Sequence, residues 1–194
     1  MKIVSIAIIT LIFNVLCSGE LMSQSNNVAA MNTIFQFTGE HADQAWASTN
    51  DGVMGGLSQG SSSIVADGLR FSGSLSQENN GGFSSVFSDV NLDISAAKGV
   101  RLKVLGDGRT YLIRFHSDAV YRQRWPVNFG AEFQTTVGEW IEVFVPFIGL
   151  TQSWRGRQFS EYTFNAQDIR RITLMLADKQ AGPFTLKVAW IAAQ

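Results

Sequence analysis

Phe184-Thr185-Leu186-Lys187-Val188-Ala189-Trp190 alternates large apolar residues with small or polar ones. In an extended chain Phe184, Leu186, Val188 and Trp190 fall on one face, and Thr185, Lys187 and Ala189 on the other. A slip of one residue would turn all four large side chains to water, so the register of this strand is well specified. The same period of two returns in Val100, Leu102 and Val104 against Arg101 and Lys103, and in Tyr111, Ile113 and Phe115 against Leu112, Arg114 and His116. Further strands are predicted at residues 34–37, 69–74, 82–87, 122–128, 132–135, 140–145 and 171–176, with the first stretch extended to 183–191. Asp67-Gly68, Asn79-Asn80-Gly81-Gly82, Gly106-Asp107-Gly108 and Ala181-Gly182 separate them as turns. Helix is expected only as single turns near residues 42–47, 96–97 and 166–169. This many short strands bury their inner faces most simply as an all-β fold, an antiparallel β-sandwich of jelly-roll type.

The chain has 194 residues, with 45% hydrophobic and 16% charged residues, 18 Gly, 14 Phe and one Cys. That is the size of a single domain with a sizeable core and excludes an intrinsically disordered chain. A net charge of -1 supplies no long-range attraction to phosphate backbones, which argues against nucleic-acid binding.

Met1-Lys2 is followed by an apolar run over residues 3–17, short for a membrane span and of the right length for the apolar region of a secretory signal. The reading is a signal peptide over residues 1–19, a polar linker over 20–32 and one sandwich domain over 33–194. The mature domain is then exported, to the periplasm or outside the cell, without stable membrane insertion. It also loses Cys17 with the leader and is thiol-free. A start at Met31 is the alternative and gives a cytoplasmic protein.

Few constellations carry chemistry. Gly56-Leu57-Ser58-Gln59-Gly60 matches the G-x-S-x-G nucleophile elbow, but Gly-rich sequence precedes it and a Ser run follows, where an elbow needs a strand before and a helix after. A turn is the expectation. His41 and His116 lack the Cys or His neighbours of a zinc site. Asp51, Glu78 and Asp107 sit in Gly-rich turns without the D-x-D-x-D-G spacing of a calcium loop. The stretch over residues 50–60 lacks the G-K-[ST] ending of a phosphate loop. These readings assign no catalytic residue, cofactor or metal ligand.

Several stretches together resemble the NADH:ubiquinone oxidoreductase intermediate-associated protein family, also called the complex I intermediate-associated family. They are Trp46, Asn50-Asp51-Gly52-Val53-Met54-Gly55-Gly56 with Ser58, Phe71-Ser72-Gly73-Ser74-Leu75, and Gly81-Gly82-Phe83-Ser84-Ser85-Val86. In the C-terminal half Gly106-Asp107-Gly108-Arg109-Thr110-Tyr111, Trp140 with Val145-Pro146-Phe147, Arg155-Gly156-Arg157 and Gly182-Pro183-Phe184-Thr185-Leu186 follow in the family's order. The resemblance covers residues 33–194. It implies a galactose-binding-like jelly roll and a non-catalytic, chaperone-like role in assembling or stabilising a protein complex. The partners it implies are respiratory-complex subunits or other assembly factors.

The candidate partner-binding residues are Asn50, Asp51, Met54, Gly55, Gly56, Gly81 and Gly82 in two Gly-rich loops, Trp154, Arg155 and Arg157 in a third, and Arg114 with Trp125. The expectation is that the two Gly-rich loops and the Arg155–Arg157 loop face one partner together. Arg and Trp are the residue types most enriched at interface hot spots. An extracytoplasmic carbohydrate-binding module is the second reading, with Trp125 and Arg114, or Trp154 and Arg155, as the glycan contacts.

Overall fold

A computed structural model of the chain describes residues 32–39, 46–117 and 127–194. In chain order its strands are β1 (Asn32–Gln36), β2 (Ala47–Asn50), β3 (Gln59–Val65), β4 (Gly68–Leu75), β5 (Ser84–Leu92), β6 (Gly99–Leu105), β7 (Thr110–Ser117), β8 (Asn128–Gln134), β9 (Trp140–Pro146), β10 (Thr151–Trp154), β11 (Arg157–Phe159), β12 (Ile169–Leu176) and β13 (Gly182–Ala193). One sheet runs β3-β4-β13-β6-β9, with β1 also paired to β13; the other runs β11-β10-β8-β7-β12-β5-β2. All of these strand pairs are antiparallel. The two apolar faces meet as a sandwich.

The alternating residues behave as their pattern dictates. Val100, Leu102, Val104, Tyr111, Ile113 and Phe115 are all fully buried, while Arg114 and His116 face outward and are only half-buried. The core is rich in edge-to-face aromatic pairs, such as Phe71 with Phe184 at 4.8 Å and Phe71 with Tyr111 at 6.4 Å.

Trp190 departs from the expected alternation. Phe184, Leu186 and Val188 point into the core, but the ladder to β6 jumps from Val188↔Val104 to Trp190↔Lys103, leaving Ala189 as an extra residue. This bulge puts Trp190 on the outer face and hands the core position to Ile191, which is fully buried. It falls where β13 exchanges one neighbour for another: pairing to β4 ends at Val188, and the Ala189 carbonyl accepts the Phe37 amide at 3.0 Å beyond β1.

β2, β3, β10 and β11 occupy stretches in which no strand is predicted. The predicted strand over 122–128 lies outside the described residues except for its end, where Asn128 opens β8. The single helical turns expected at 96–97 and 166–169 are tight turns without helix, and Ile169 already opens β12. Of the turn expected at 42–47, only Trp46 and Ala47 are described, and Ala47 opens β2. Short 3-10 turns form instead at Asp51–Met54 and Glu78–Asn80. The predicted signal peptide, and all of the predicted linker except Asn32, lie outside the described residues, as does the alternative start at Met31.

Candidate functional site

The stretch after β2 folds around one carboxylate. Asp51 is fully buried at the start of its 3-10 turn, where Oδ1 accepts the Ser58 amide at 2.9 Å. Oδ2 accepts the Ser58 hydroxyl at 2.5 Å, the Gly82 amide at 2.6 Å and the Phe83 amide at 3.3 Å. Burial pushes this carboxyl up, but the Ser58 hydroxyl and the three amides outweigh it and hold the pKa below the ordinary carboxylate value. Ser58 passes the network on, accepting the Ser76 amide at 3.0 Å. Beside it Asn50 donates to the Gly60 carbonyl at 3.1 Å and accepts the Ser84 hydroxyl at 2.6 Å.

Two glycines in this motif are dictated by close approach. A Cβ on Gly81 would stand 2.6 Å from Asp51 Oδ2, and one on Gly56 would stand 2.5 Å from Oδ1. The structure thus brings Asn50, Asp51, Gly55, Gly56, Gly81 and Gly82 together, as the sequence suggests, but around an internal hub. Asp51 faces the protein's own amides and presents nothing to a partner. The buried Ser58 belongs to the same hub, and β3 rather than a helix follows it, so the G-x-S-x-G stretch is a turn.

What the hub presents outward is apolar. Val53 is 73% exposed, Met54 59% and Leu57 52%, three large hydrophobic side chains within five residues. Among the sequence candidates only Met54 anticipated this surface. Val53 and Leu57 carried a legible signal, being apolar residues in a Gly-rich turn with no alternating pattern to bury them.

A second hub joins the β6–β7 and β12–β13 connections. Arg109 donates to both oxygens of Asp178, at 2.6 and 2.9 Å, and to the carbonyls of Gln180, Gly182 and Pro183. The Asp178 carboxylate holds the Arg109 guanidinium above its ordinary value. Asp107 accepts the Thr185 amide at 2.7 Å and the Tyr111 hydroxyl at 3.1 Å. The Gly106–Tyr111 motif is therefore a clamp within the fold. Asp51 and Asp107 have their oxygens engaged by N–H and O–H donors, and the described residues hold no group of three or more His, Cys, Asp or Glu placed to bind a metal ion.

Arg155-Gly156 is not an open loop but the two-residue turn of a β-hairpin, with φ of 46° and 77° and Trp154 paired to Arg157 across it. Positive φ at both positions matches the twist of the flanking strands. Arg155 lies 4.9 Å from the Trp154 ring centroid and Arg157 lies 5.1 Å from that of Phe159. This hairpin forms one edge of the seven-stranded sheet, and β2, which leads into the Asp51 turn, forms the other. Five strand spacings, about 24 Å along the sheet, separate β10 from β2. The expected single surface of Gly-rich loops and Arg155/Arg157 is thus replaced by two opposite edges.

Arg114 stands on β7, the central strand of that sheet, and has no hydrogen bond or ion pair among the described residues. Burial lowers its pKa from the ordinary value. His116, two residues on, is pushed down to about 4 by burial and by Arg171 and Arg114, against weaker pulls from Asn128 and Asp89. It is neutral at physiological pH. Trp125 and His41 lie outside the described residues.

The family model for complex I intermediate-associated protein 30 matches residues 35–188. Probable mitochondrial complex I intermediate-associated proteins 30 of Caenorhabditis elegans and Caenorhabditis briggsae are each 34% identical over 92 residues, 46% of this chain. The match spans about a quarter, 27%, of those relatives' length. Among solved structures, the family 11 carbohydrate-binding module of Clostridium thermocellum, in complex with a β-1,3-1,4-mixed-linked tetrasaccharide, is similar with a TM-score of 0.65 at 14% identity, over 84% of this chain and 95% of its own. A family 30 carbohydrate-binding module gives 0.54 at 14% identity, over 85% and 99%. At such identities the likeness is one of fold, a galactose-binding-like jelly roll. The match over residues 35–188 places this chain in the complex I intermediate-associated protein 30 family.

Proposed function

We propose that this domain is a non-enzymatic interaction module that assists, in a chaperone-like way, the assembly or stabilisation of a protein complex, with respiratory-complex subunits or other assembly factors as its partners. Family membership supports the class of role, and the observation that carries the mode of action is the apolar triad of Val53, Met54 and Leu57. Exposed apolar side chains clustered on a soluble surface mark a site that a partner covers. Four donors anchor Asp51 beneath them, so the triad is pre-ordered and less conformational freedom is lost on binding. A photo-cross-linking amino acid placed at Leu57 should attach to a respiratory-complex subunit or assembly factor, and the same probe at exposed Ile148 should not. Equal labelling from both positions would contradict this mode of action.

The leader's composition supports export, and a start at Met31 supports a cytoplasmic domain; N-terminal sequencing of the natural protein decides between them. A second reading, carbohydrate binding, is favoured by one observation, Arg114 at the centre of the outer sheet face, which is unpaired among the described residues. A panel of immobilised polysaccharides tests it.

A further inference from the structure

The outer face of the seven-stranded sheet can be laid out from its register. Thr173, Arg114, Gly130 and Thr151 are direct neighbours in one row across β12, β7, β8 and β10. Leu112 and Glu132 form the adjoining pair, two residues along the strands and roughly 7 Å away. On the other side lies Arg171, whose charge is already answered by Asp89 at 2.6 Å and whose guanidinium stacks 3.8 Å from the Phe87 ring centroid. Arg114 has no such answer among the described residues. Its stem lies over Gly130, where a Cβ would come within 2.9 Å of Arg114 Cγ, so the absent side chain makes the space the arginine occupies.

A half-buried guanidinium without an acceptor is a costly arrangement that an incoming anion relieves, and the planar fork matches a carboxylate. Glu132 narrows the choice. A second carboxylate laid beside it would be repelled, whereas hydroxyl groups would donate to it. Glu132 also lines a cleft of about 320 Å³ together with Thr110, Leu112, Asp178, Lys179 and Gln180, whose polar side chains offer donors and acceptors together while the Asp178 carboxylate is already taken by Arg109. That volume is within the range of small-ligand sites. We propose that this face binds a sugar acid, a saccharide unit with one carboxylate beside free hydroxyls, with the carboxylate on Arg114 and hydroxyls on Glu132 and the cleft. This rests on the carbohydrate reading and is independent of the protein-assembly one.

The test is calorimetric titration of the full chain with galacturonate, glucuronate, mannuronate and guluronate tetrasaccharides, each beside its neutral, carboxyl-reduced counterpart. At least one uronate should bind ten-fold or more tightly than its reduced form. Arg114→Gln should erase that difference and Arg114→Lys should restore part of it. Should Arg114→Gln not fold, Arg114→Lys carries the test by itself, with the preference for the uronate over its reduced form expected to fall several-fold and an unchanged preference overturning the assignment. Arg114-independent binding of neutral oligosaccharides would overturn the sugar-acid assignment and leave carbohydrate binding standing. Binding of no saccharide would overturn both, and an acidic peptide bound with the same Arg114 dependence would overturn the sugar acid in favour of a protein ligand.

Discussion

The Gly82 amide donates to Oδ2 of Asp51 across 2.6 Å, tying the turn after β2 to the start of β5 over thirty-one residues of chain. Ser58 and Phe83 converge on the same carboxylate. The apolar triad is held in place from below by this knot, so the stability of the knot and the action of the surface can be separated by mutation.

Asp51→Asn keeps the shape and replaces one acceptor oxygen by a donor facing amides. At least one buried donor then loses its partner, and the variant should be destabilised by about 2–3 kcal/mol. Urea unfolding of the two proteins measures this, and a loss under about 0.5 kcal/mol would mean that the hub is dispensable.

Gly81→Ala should be destabilising for a reason that disappears with Asp51, since its Cβ would stand 2.6 Å from Oδ2. The Ser76 and Glu78 carbonyls, at 2.9 and 3.0 Å, keep part of the cost. A double-mutant cycle with Asp51→Ala should therefore show a coupling of about 1 kcal/mol or more, and strict additivity would place the clash elsewhere.

Arg109 and Asp178 are only 10% and 7% exposed. Arg109→Met leaves a buried carboxylate unpaired and should cost about 3–5 kcal/mol, whereas Arg109→Met with Asp178→Leu together should cost less than the single change. Chemical denaturation of the three proteins compares them.

Stability should fall with acid in two stages. His116 has a folded pKa of about 4 against an ordinary value of 6.5, so the unfolded chain takes up this proton first. Its contribution is complete above pH 6.5 and is lost as pH falls towards 4, by up to about 3 kcal/mol. The Asp51 and Asp178 carboxyls are held below 3.8, so their contributions are present above that value and are lost as pH falls through their folded values. Melting curves from pH 8 to 3 should show both stages, and His116→Asn should flatten the first alone.

Strand existence and inward faces were readable wherever a period of two ran for five residues or more, as over Val100–Val104. The bulge at Ala189 was not, because the alternation of Phe184 to Trp190 continues through it and only the change of neighbour from β4 to β1 requires an extra residue. β3 hides in a Ser run whose apolar residues, Ile64 and Val65, come side by side at its end and show no alternation, and the β10–β11 turn uses Arg155-Gly156 in place of the usual Asn-Gly. The grouping of the Gly-rich motifs was legible from their residue types. Their meaning was not, since Asp51 becomes an internal hub only through donors seven to thirty-two residues away.

The interaction role itself is tested most directly by affinity capture of the full chain from its native cells, beside a variant carrying Val53→Ser, Met54→Ser and Leu57→Ser. All three side chains are more than half exposed, so the variant should melt within a few degrees of the native protein. The native protein should retain respiratory-complex subunits or assembly factors, and the variant should retain at least ten-fold less of them. Equal recovery by the two proteins, or no such subunit with either, would contradict the role proposed for this surface.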